Sequence, residues 1–391
     1  YLIFLKNFNE NKFVNLLQKT IGVGPHHLHE PYIGNNELRF VKKAVNEKEL
    51  STYGKYIKIF EKELRKITKA KYVTAVINCT EGLFLSLKIL GIKKDQEVLV
   101  PALTFVGTVN AISYIGAHPH FVDSQIQDFG INTIKLSDYL KKNTNFKNGK
   151  CINKKTGRII SAIIPVHVFG NPCDIINIKK ISKKYNFKII EDAAEGLGSY
   201  FNKRHLGTFG DLGCISFNGN KIITTGGGGA IITNNKKLYK KILHYSTTAK
   251  IKHKWEFDHS DVGYNLRLPS LNASLGIPQL RRLQKYVKAK RSLNKIYKNM
   301  LKNQKVMKLF EEKKNCKSNY WLQAVILEKN FVKYKNSLLK VSHKRKFFLR
   351  PVWKLVSNLQ PYKKKPKMNL SGAKEIYKSV IYLLKNPDFM K

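Results

Sequence analysis

The sequence predicts an α/β fold: a large domain on a mainly parallel sheet, followed by a smaller C-terminal α+β domain. Three observations carry this. Between residues 72 and 191, short apolar runs alternate with segments of helical spacing, the pattern of strands covered by helices on both faces. Beyond about residue 300 the rhythm changes to a shorter mixture of strand and helix. The 391-residue length suits one large and one smaller core.

In chain order, residues 1–35 read as a polar, aromatic and irregular N-terminal segment. Apolar residues at helical spacing (Leu38, Val41, Val45, then Ile57, Phe60, Leu64, Ile67) predict two helices with a break near Ser51 to Gly54. A strand at Tyr72 to Ile77, a turn at 78–82 and a helix from Leu83 to Leu90 follow. Next come a strand at Glu97 to Val100, a helix at Phe105 to Ile115 and a strand at His120 to Val122. Residues 125–157 are a looser connection with one helix around Ile134 to Tyr139. The alternation resumes with strand Ile159 to Val166, helix Asp174 to Tyr185 and strand Phe187 to Glu191. Leu271 to Asn299 reads as one long helix, and the domain boundary is placed inside it, giving a large domain at 36–285 and a small one at 286–391. In such sheets ligands bind beyond the carboxyl ends of strands, where turns 78–82 and 192–196 would lie.

The net charge of +46 raises nucleic acid or an anionic surface as partners. The excess is mostly Lys, spread over the whole chain without a DNA-binding motif, which argues against specific nucleic-acid recognition. Five cysteines without a CxxC pair suit a reducing, cytoplasmic setting and no metal site. No apolar run reaches membrane-spanning length, and the run from Tyr1 to Leu5 is too short for a signal core.

The chemistry concentrates in Cys214 to Thr233, where Lys221 stands between two apolar strands ahead of the glycines 226–229. A lysine in a site of low polarity can form a Schiff base with an aldehyde. Ser216 offers a hydroxyl to a phosphate of the same ligand, and the glycines allow close backbone approach. The bland alternative is a Gly-rich hairpin with an exposed lysine. Asp192, at a strand end, either pairs with a protonated ring nitrogen or caps a helix starting at Ala193. Glu195 could face the same ligand. Thr80 at a helix start is either part of a phosphate cradle or an ordinary cap. Phe105 either stacks on a ring or fills the core, and His29 and His167 read as hydrogen-bonded structural histidines.

Together, Thr80, Phe105, Asp192 with Glu195, Ser216 with Lys221, and Gly263-Tyr264-Asn265 resemble the DegT/DnrJ sugar aminotransferases. The likeness runs from about residue 29 onward. It sharpens at 218–225, 247–255, 318–321 and 350–355, which look like the subgroup making precursors of legionaminic acid. The resemblance implies a fold-type-I enzyme with a seven-stranded sheet and pyridoxal 5′-phosphate as cofactor. Lys221 would carry the cofactor and act as general base, and Asp192 would pair with its ring nitrogen. Glu195 would lie near its phenolic oxygen. Thr80, the Glu81 backbone and Ser216 would hold the phosphate, with Phe105 stacked on the ring. Asn265 would reach the cofactor of a partner subunit, making a homodimer with shared sites. His253, Trp255 and Arg350 would touch substrate. Cys79 and Gly227 depart from the family's commoner Gly and Glu, and the tail from Leu383 departs from its usual ending.

The implied reaction aminates C4 of a UDP-linked 4-keto-6-deoxy-N-acetylhexosamine, with L-glutamate as donor. A GDP-sugar aminotransferase is the nearer alternative, and a PLP-binding regulator without catalysis the one from another class. Dehydratases of the same fold have His in place of Lys221.

Overall fold

The computed structural model describes residues 8–384. The apolar run at 1–5 and most of the atypical tail, residues 385–391, lie outside the described residues.

The central sheet follows the order Tyr72–Val76, Gly229–Thr233, Leu212–Ser216, Lys188–Asp192, Ile159–Ile163, Glu97–Pro101, His118–Val122. Four consecutive pairings are parallel, and among these seven strands only Gly229–Thr233 runs against both of its neighbours. The expected mainly parallel sheet is therefore present. Its strands are buried along nearly their whole length, which is why they read as continuous apolar runs rather than alternating ones. Helices Asn35–Asn46 and Lys55–Thr68 pack against the long helix Ser270–Leu301. The edge strand His118–Val122 is covered: Phe121 bonds through its amide to Pro366 O and through its carbonyl to the Met368 amide. Covering an edge in this way removes a site for unwanted strand pairing.

Two stretches differ from the sequence reading. The N-terminal segment is not irregular, because Glu10–Ile21 is a helix capped by Asn9. Phe13, Val14, Leu17 and Ile21 form its buried face, packed with Leu293, Tyr297, Val325 and Ile381 of the chain's second core. Residues 125–157 hold a hairpin, Thr144–Lys147 with Lys150–Asn153, that extends the sheet beside Ile159–Ile163. A buried polar cluster anchors it. Glu97 accepts hydrogen bonds from Asn153 and Thr156 and lies 2.7 Å from His120 Nδ1.

The C-terminal part forms a four-stranded antiparallel sheet in the order Met307–Leu309, Gln323–Leu327, Val380–Leu383, Arg350–Pro351. Leu280, Leu283 and Val287 of the long helix join the first core, and Leu293, Tyr297 and Leu301 join the second. The two parts are clasped together. The buried Asp123 accepts the amides of Gly372 and Ala373 at the start of helix Ser371–Ser379, and Lys313 reaches the buried Asp128 at 2.6 Å.

Gly229 marks the tightest approach of backbone to backbone near the sheet's ligand end. A Cβ there would lie 2.6 Å from the carbonyl carbon of Asn78 and 2.7 Å from the Cys79 nitrogen. Gly229→Ala is therefore expected to lower stability by about 1–3 kcal/mol through overpacking, read as a lower denaturant midpoint at unchanged slope.

A second prediction concerns pH. His205 accepts the Gly198 amide at Nε2 and donates from Nδ1 to Leu206 O, so the neutral ring is fully satisfied. Burial lowers its pKa to about 4, whereas the unfolded ring titrates near 6.5. The unfolded chain thus takes up this proton first, so the contribution is intact above about pH 6.5 and lost as pH falls toward about 4. Urea unfolding at pH 7 and pH 5 should show a smaller pH effect in His205→Asn than in the parent; an identical effect would remove His205 from the account.

Candidate active site

The carboxyl ends of the sheet strands open into a cavity of about 320 Å³. Asp192 and Ser216 are the last residues of their strands, while Thr80 and Phe105 lie where helices Cys79–Ile89 and Val106–Tyr114 begin. Glu195 and Lys221 complete the set, and all six of these sequence-derived candidates line the same cavity.

Lys221 is not the exposed lysine of the bland hairpin reading. Its Nζ lies 3.0 Å from Glu195 Oε1 and 4.2 Å from the centre of the Trp321 ring, and its side chain is 13% exposed. The loop carrying it is held from both sides. Trp321 Nε1 donates to Asn220 O, and His29 Nε2 lies 2.9 Å from Lys221 O. Asn319 donates to the carbonyls of Glu195 and Leu197 and so fixes the opposing turn. Burial raises the Glu195 pKa, and the nearby ammonium and the Phe169 amide oppose that shift.

Asp192 does not cap a helix, because residues 193–199 are turns. Its Oδ2 accepts the Thr108 hydroxyl at 2.6 Å and its Oδ1 accepts the Ala194 amide at 3.0 Å. Burial pushes its pKa up; the Thr108 hydrogen bond, the Ala194 amide, Lys221 and His167 pull in the other direction. Behind it, the buried Glu191 accepts the amides of Gly207, Phe209 and Gly210 and pairs with His167 at 2.9 Å. That confirms a structural reading of His167 and fixes the strand end that presents Asp192.

The third pole of the cavity is a cradle of donors. Asn78, not Thr80, caps helix Cys79–Ile89, accepting the Glu81 amide at 2.8 Å. This engages the Glu81 backbone that the sequence reading assigned to a phosphate. The helix start still presents the amides of Cys79 and Thr80, since the first N–H groups of a helix lack intrahelical partners. The Thr80 hydroxyl faces Gly107, where a Cβ would sit 2.7 Å from its oxygen. Ser216 Oγ lies across the cavity, and its one hydrogen bond here is a long 3.4 Å contact from the Asn218 amide.

The remaining candidates are not brought to this cavity within one chain. Asn265 is exposed and bridges Thr247. His253 and Trp255 stand on an exposed loop, with Trp255 69% exposed, and Arg350 is exposed on an edge strand. The sequence reading did not name Thr108, Trp321 or Trp353 as site residues, although the last two belong to segments it singled out. A larger groove of about 1590 Å³ lies mainly on the C-terminal part. It is lined by apolar side chains such as Met307, Phe310 and Leu327 with lysines and glutamates among them, and holds none of the convergent groups above. Among the described residues no helix is long and apolar enough to cross a membrane, and no His/Cys/Asp/Glu group could hold a metal.

Comparisons with known proteins bear on the family and the fold. Residues 31–391 match the model of the DegT/DnrJ/EryC1/StrS aminotransferase family. The chain is 33% identical to a GDP-perosamine synthase of Escherichia coli O157:H7, over 76% of this chain and 77% of that protein. It is 29% identical to a UDP-4-amino-4,6-dideoxy-N-acetyl-β-L-altrosamine transaminase of Campylobacter jejuni, over 78% and 77%. Among solved structures, the PLP form of Spr1654 from Streptococcus pneumoniae superposes with a TM-score of 0.82, at 22% identity, over 92% and 93% of the two chains. The chain belongs to the DegT/DnrJ/EryC1/StrS family and is a pyridoxal-phosphate-dependent aminotransferase of fold type I.

Proposed function

We propose that the chain aminates C4 of a nucleotide-linked 4-keto-6-deoxy sugar, with Lys221 as the catalytic residue. The observation that carries this reading is the convergence, in one cavity, of a sheltered lysine amine, a strand-end carboxylate and a cradle of donors. The residues fit pyridoxal phosphate pole by pole. Lys221 meets an aldehyde and Asp192 a ring nitrogen. Ser216, Thr80 and the helix-start amides meet a phosphate, in a cradle that a side chain at position 229 would fill. Phe105 and Trp353 supply the aromatic wall.

When bound, pyridoxal phosphate supplies an electron sink that stabilises the carbanion formed next to the exchanged nitrogen. Lys221 would hold the cofactor, and its amine would serve as the base that takes the proton from the donor carbon. Glu195, 3.0 Å from the amine, accepts its hydrogen bond and keeps it aimed into the cavity. Asp192 holds the proton on the ring nitrogen. Trp321 covers the lysine's side of the site and shelters its amine from water.

Transamination exchanges one carbonyl oxygen for one amine, so a 4-amino-4,6-dideoxy sugar, as in the name of the Campylobacter jejuni relative, requires a 4-keto-6-deoxy precursor. The segments resembling the legionaminic-acid subgroup favour a UDP-linked N-acetylhexosamine, in a pathway to a bacterial surface polysaccharide. The relative at 33% identity favours GDP as a second reading. L-Glutamate is the proposed donor. A homodimer is proposed because Trp255, Phe257 and Val262 stand exposed in the stretch leading to Asn265, a patch that a second copy would cover. A cytoplasmic location is supported by five cysteines that are all free.

The purified protein with pyridoxal phosphate should show a visible absorbance band that L-glutamate converts to a shorter wavelength. Lys221→Ala should remove the visible band and lower turnover by at least about 10²-fold, the contribution of a positioned general base. An unchanged spectrum in Lys221→Ala would sink the assignment. Assaying UDP- and GDP-linked 4-keto-6-deoxy sugars side by side decides the nucleotide.

A further inference from the structure

The cavity's one buried carboxylate without a cationic partner in hydrogen-bond contact is held instead by neutral donors, and those donors form a chain. Thr108 Oγ1 donates to Asp192 Oδ2 at 2.6 Å, within the short range of hydroxyl-to-carboxylate bonds. Thr104 Oγ1 lies 3.0 Å from Thr108 Oγ1. A hydroxyl has one proton, and that of Thr108 is committed to Asp192, so Thr104 donates in the second bond. Thr104, Thr108 and Asp192 are 1%, 2% and 4% exposed, so the chain is sheltered from bulk water. We propose that Thr104 and Thr108 are positioning residues: a directed hydroxyl relay that orients the Asp192 carboxylate and keeps it ionised toward the cofactor's ring nitrogen. The inference rests on the reading of Asp192 as the partner of that nitrogen.

The geometry excludes the ordinary local role for these hydroxyls. Helix Val106–Tyr114 begins after Phe105 and has no side-chain cap, so neither threonine is spent on ending the helix. Thr108 lies in the first turn, and the helix dipole there also favours an anion. With Oδ1 on the Ala194 amide and Oδ2 on Thr108, the carboxylate plane is fixed from both sides. Each oxygen retains a further lone pair for a donor in the cavity. A chain of hydrogen bonds in a site of low dielectric also polarises its members, so the second hydroxyl strengthens the first bond.

The charged surroundings make the relay necessary. Burial favours the neutral acid, and the Thr108 hydrogen bond is the largest influence opposing it, ahead of the Ala194 amide, Lys221 and His167. Glu195 and the thiols of Cys79 and Cys214 also face Asp192, and none of them stabilises its charge. A neutral Asp192 could not keep the ring nitrogen protonated.

The test follows the ring nitrogen directly, in holoprotein loaded with [15N]pyridoxal phosphate, by its 15N chemical shift as pH is raised. Thr108→Val is expected to move loss of the ring proton about one pH unit lower, and Thr104→Val to shift it by less in the same direction. Thr108→Ser, which keeps the hydroxyl, is expected to titrate like the parent. A parent-like titration in a folded Thr108→Val overturns the relay, as does a Thr108→Ser shift as large as that of Thr108→Val. If Thr108→Val does not fold, Thr104→Val decides, because it leaves the contact to Asp192 in place; no shift there overturns the relay. Asp192→Asn separates the two levels of inference. An Asp192→Asn titration identical to the parent's removes the reading of Asp192 itself, and the relay with it.

Discussion

A lysine amine 3.0 Å from a carboxylate, both sheltered from water, is the constraint on which the site depends. Desolvating two charges is expensive, and their attraction offsets it only when geometry and further hydrogen bonds are in place. The chain supplies those from four separate regions. His29 comes from the N-terminal segment, Phe169 from the turn after strand Ile159–Ile163, Glu195 from the turn after Asp192, and Asn319 and Trp321 from the C-terminal part. The Phe169 amide takes the second oxygen of Glu195, so the carboxylate cannot rotate away from Lys221. Domain packing and active-site geometry are therefore one problem. The clasp of Asp123 on helix Ser371–Ser379 and of Lys313 on Asp128 belongs to the same problem, because it ties the C-terminal part to the central sheet.

The sheet contributes by ending. Asp192 and Ser216 stop neighbouring parallel strands, and Gly229 starts the antiparallel one between Ser216 and Val76. That reversal brings the two ends of the Lys221 loop together, so a loop from Phe217 to Gly228 returns to the same edge of the sheet from which it left. The lack of a Cβ at position 229 lets that return pass directly under the turn at Asn78 and Cys79. The proposed phosphate donors and the lysine thus share one backbone crossing.

Much of this was legible in the sequence, for identifiable reasons. Strands buried on both faces leave unbroken apolar runs, so their order along the chain could be read, and Asp192, Ser216 and Lys221 stand out because each interrupts or ends such a run. The hairpin at 144–153 could not be read, since its outer strand Thr144–Lys147 is largely exposed and carries no apolar pattern. The N-terminal helix could have been: Phe13, Val14, Leu17 and Ile21 keep helical spacing, but the Lys- and Asn-rich faces between them hide it. Thr108 was beyond reach for another reason. Its role depends on a partner 84 residues away, and a threonine in a first helical turn carries no local mark of that.

Asp192 and Glu195 are three residues apart, equally buried, and both pushed toward the neutral form by that burial. Their partners separate them. Glu195 faces the one cation of the cavity in direct contact, accepting its hydrogen bond at 3.0 Å. Asp192 faces a hydroxyl and an amide, whose donation does not depend on protonation state over the working range. In the proposed role of Asp192, a group that must remain charged is best held by partners that do not titrate. The same turn thus provides one carboxylate in direct contact with the lysine and one held by neutral donors, the division of labour that the proposed reading asks of Glu195 and Asp192.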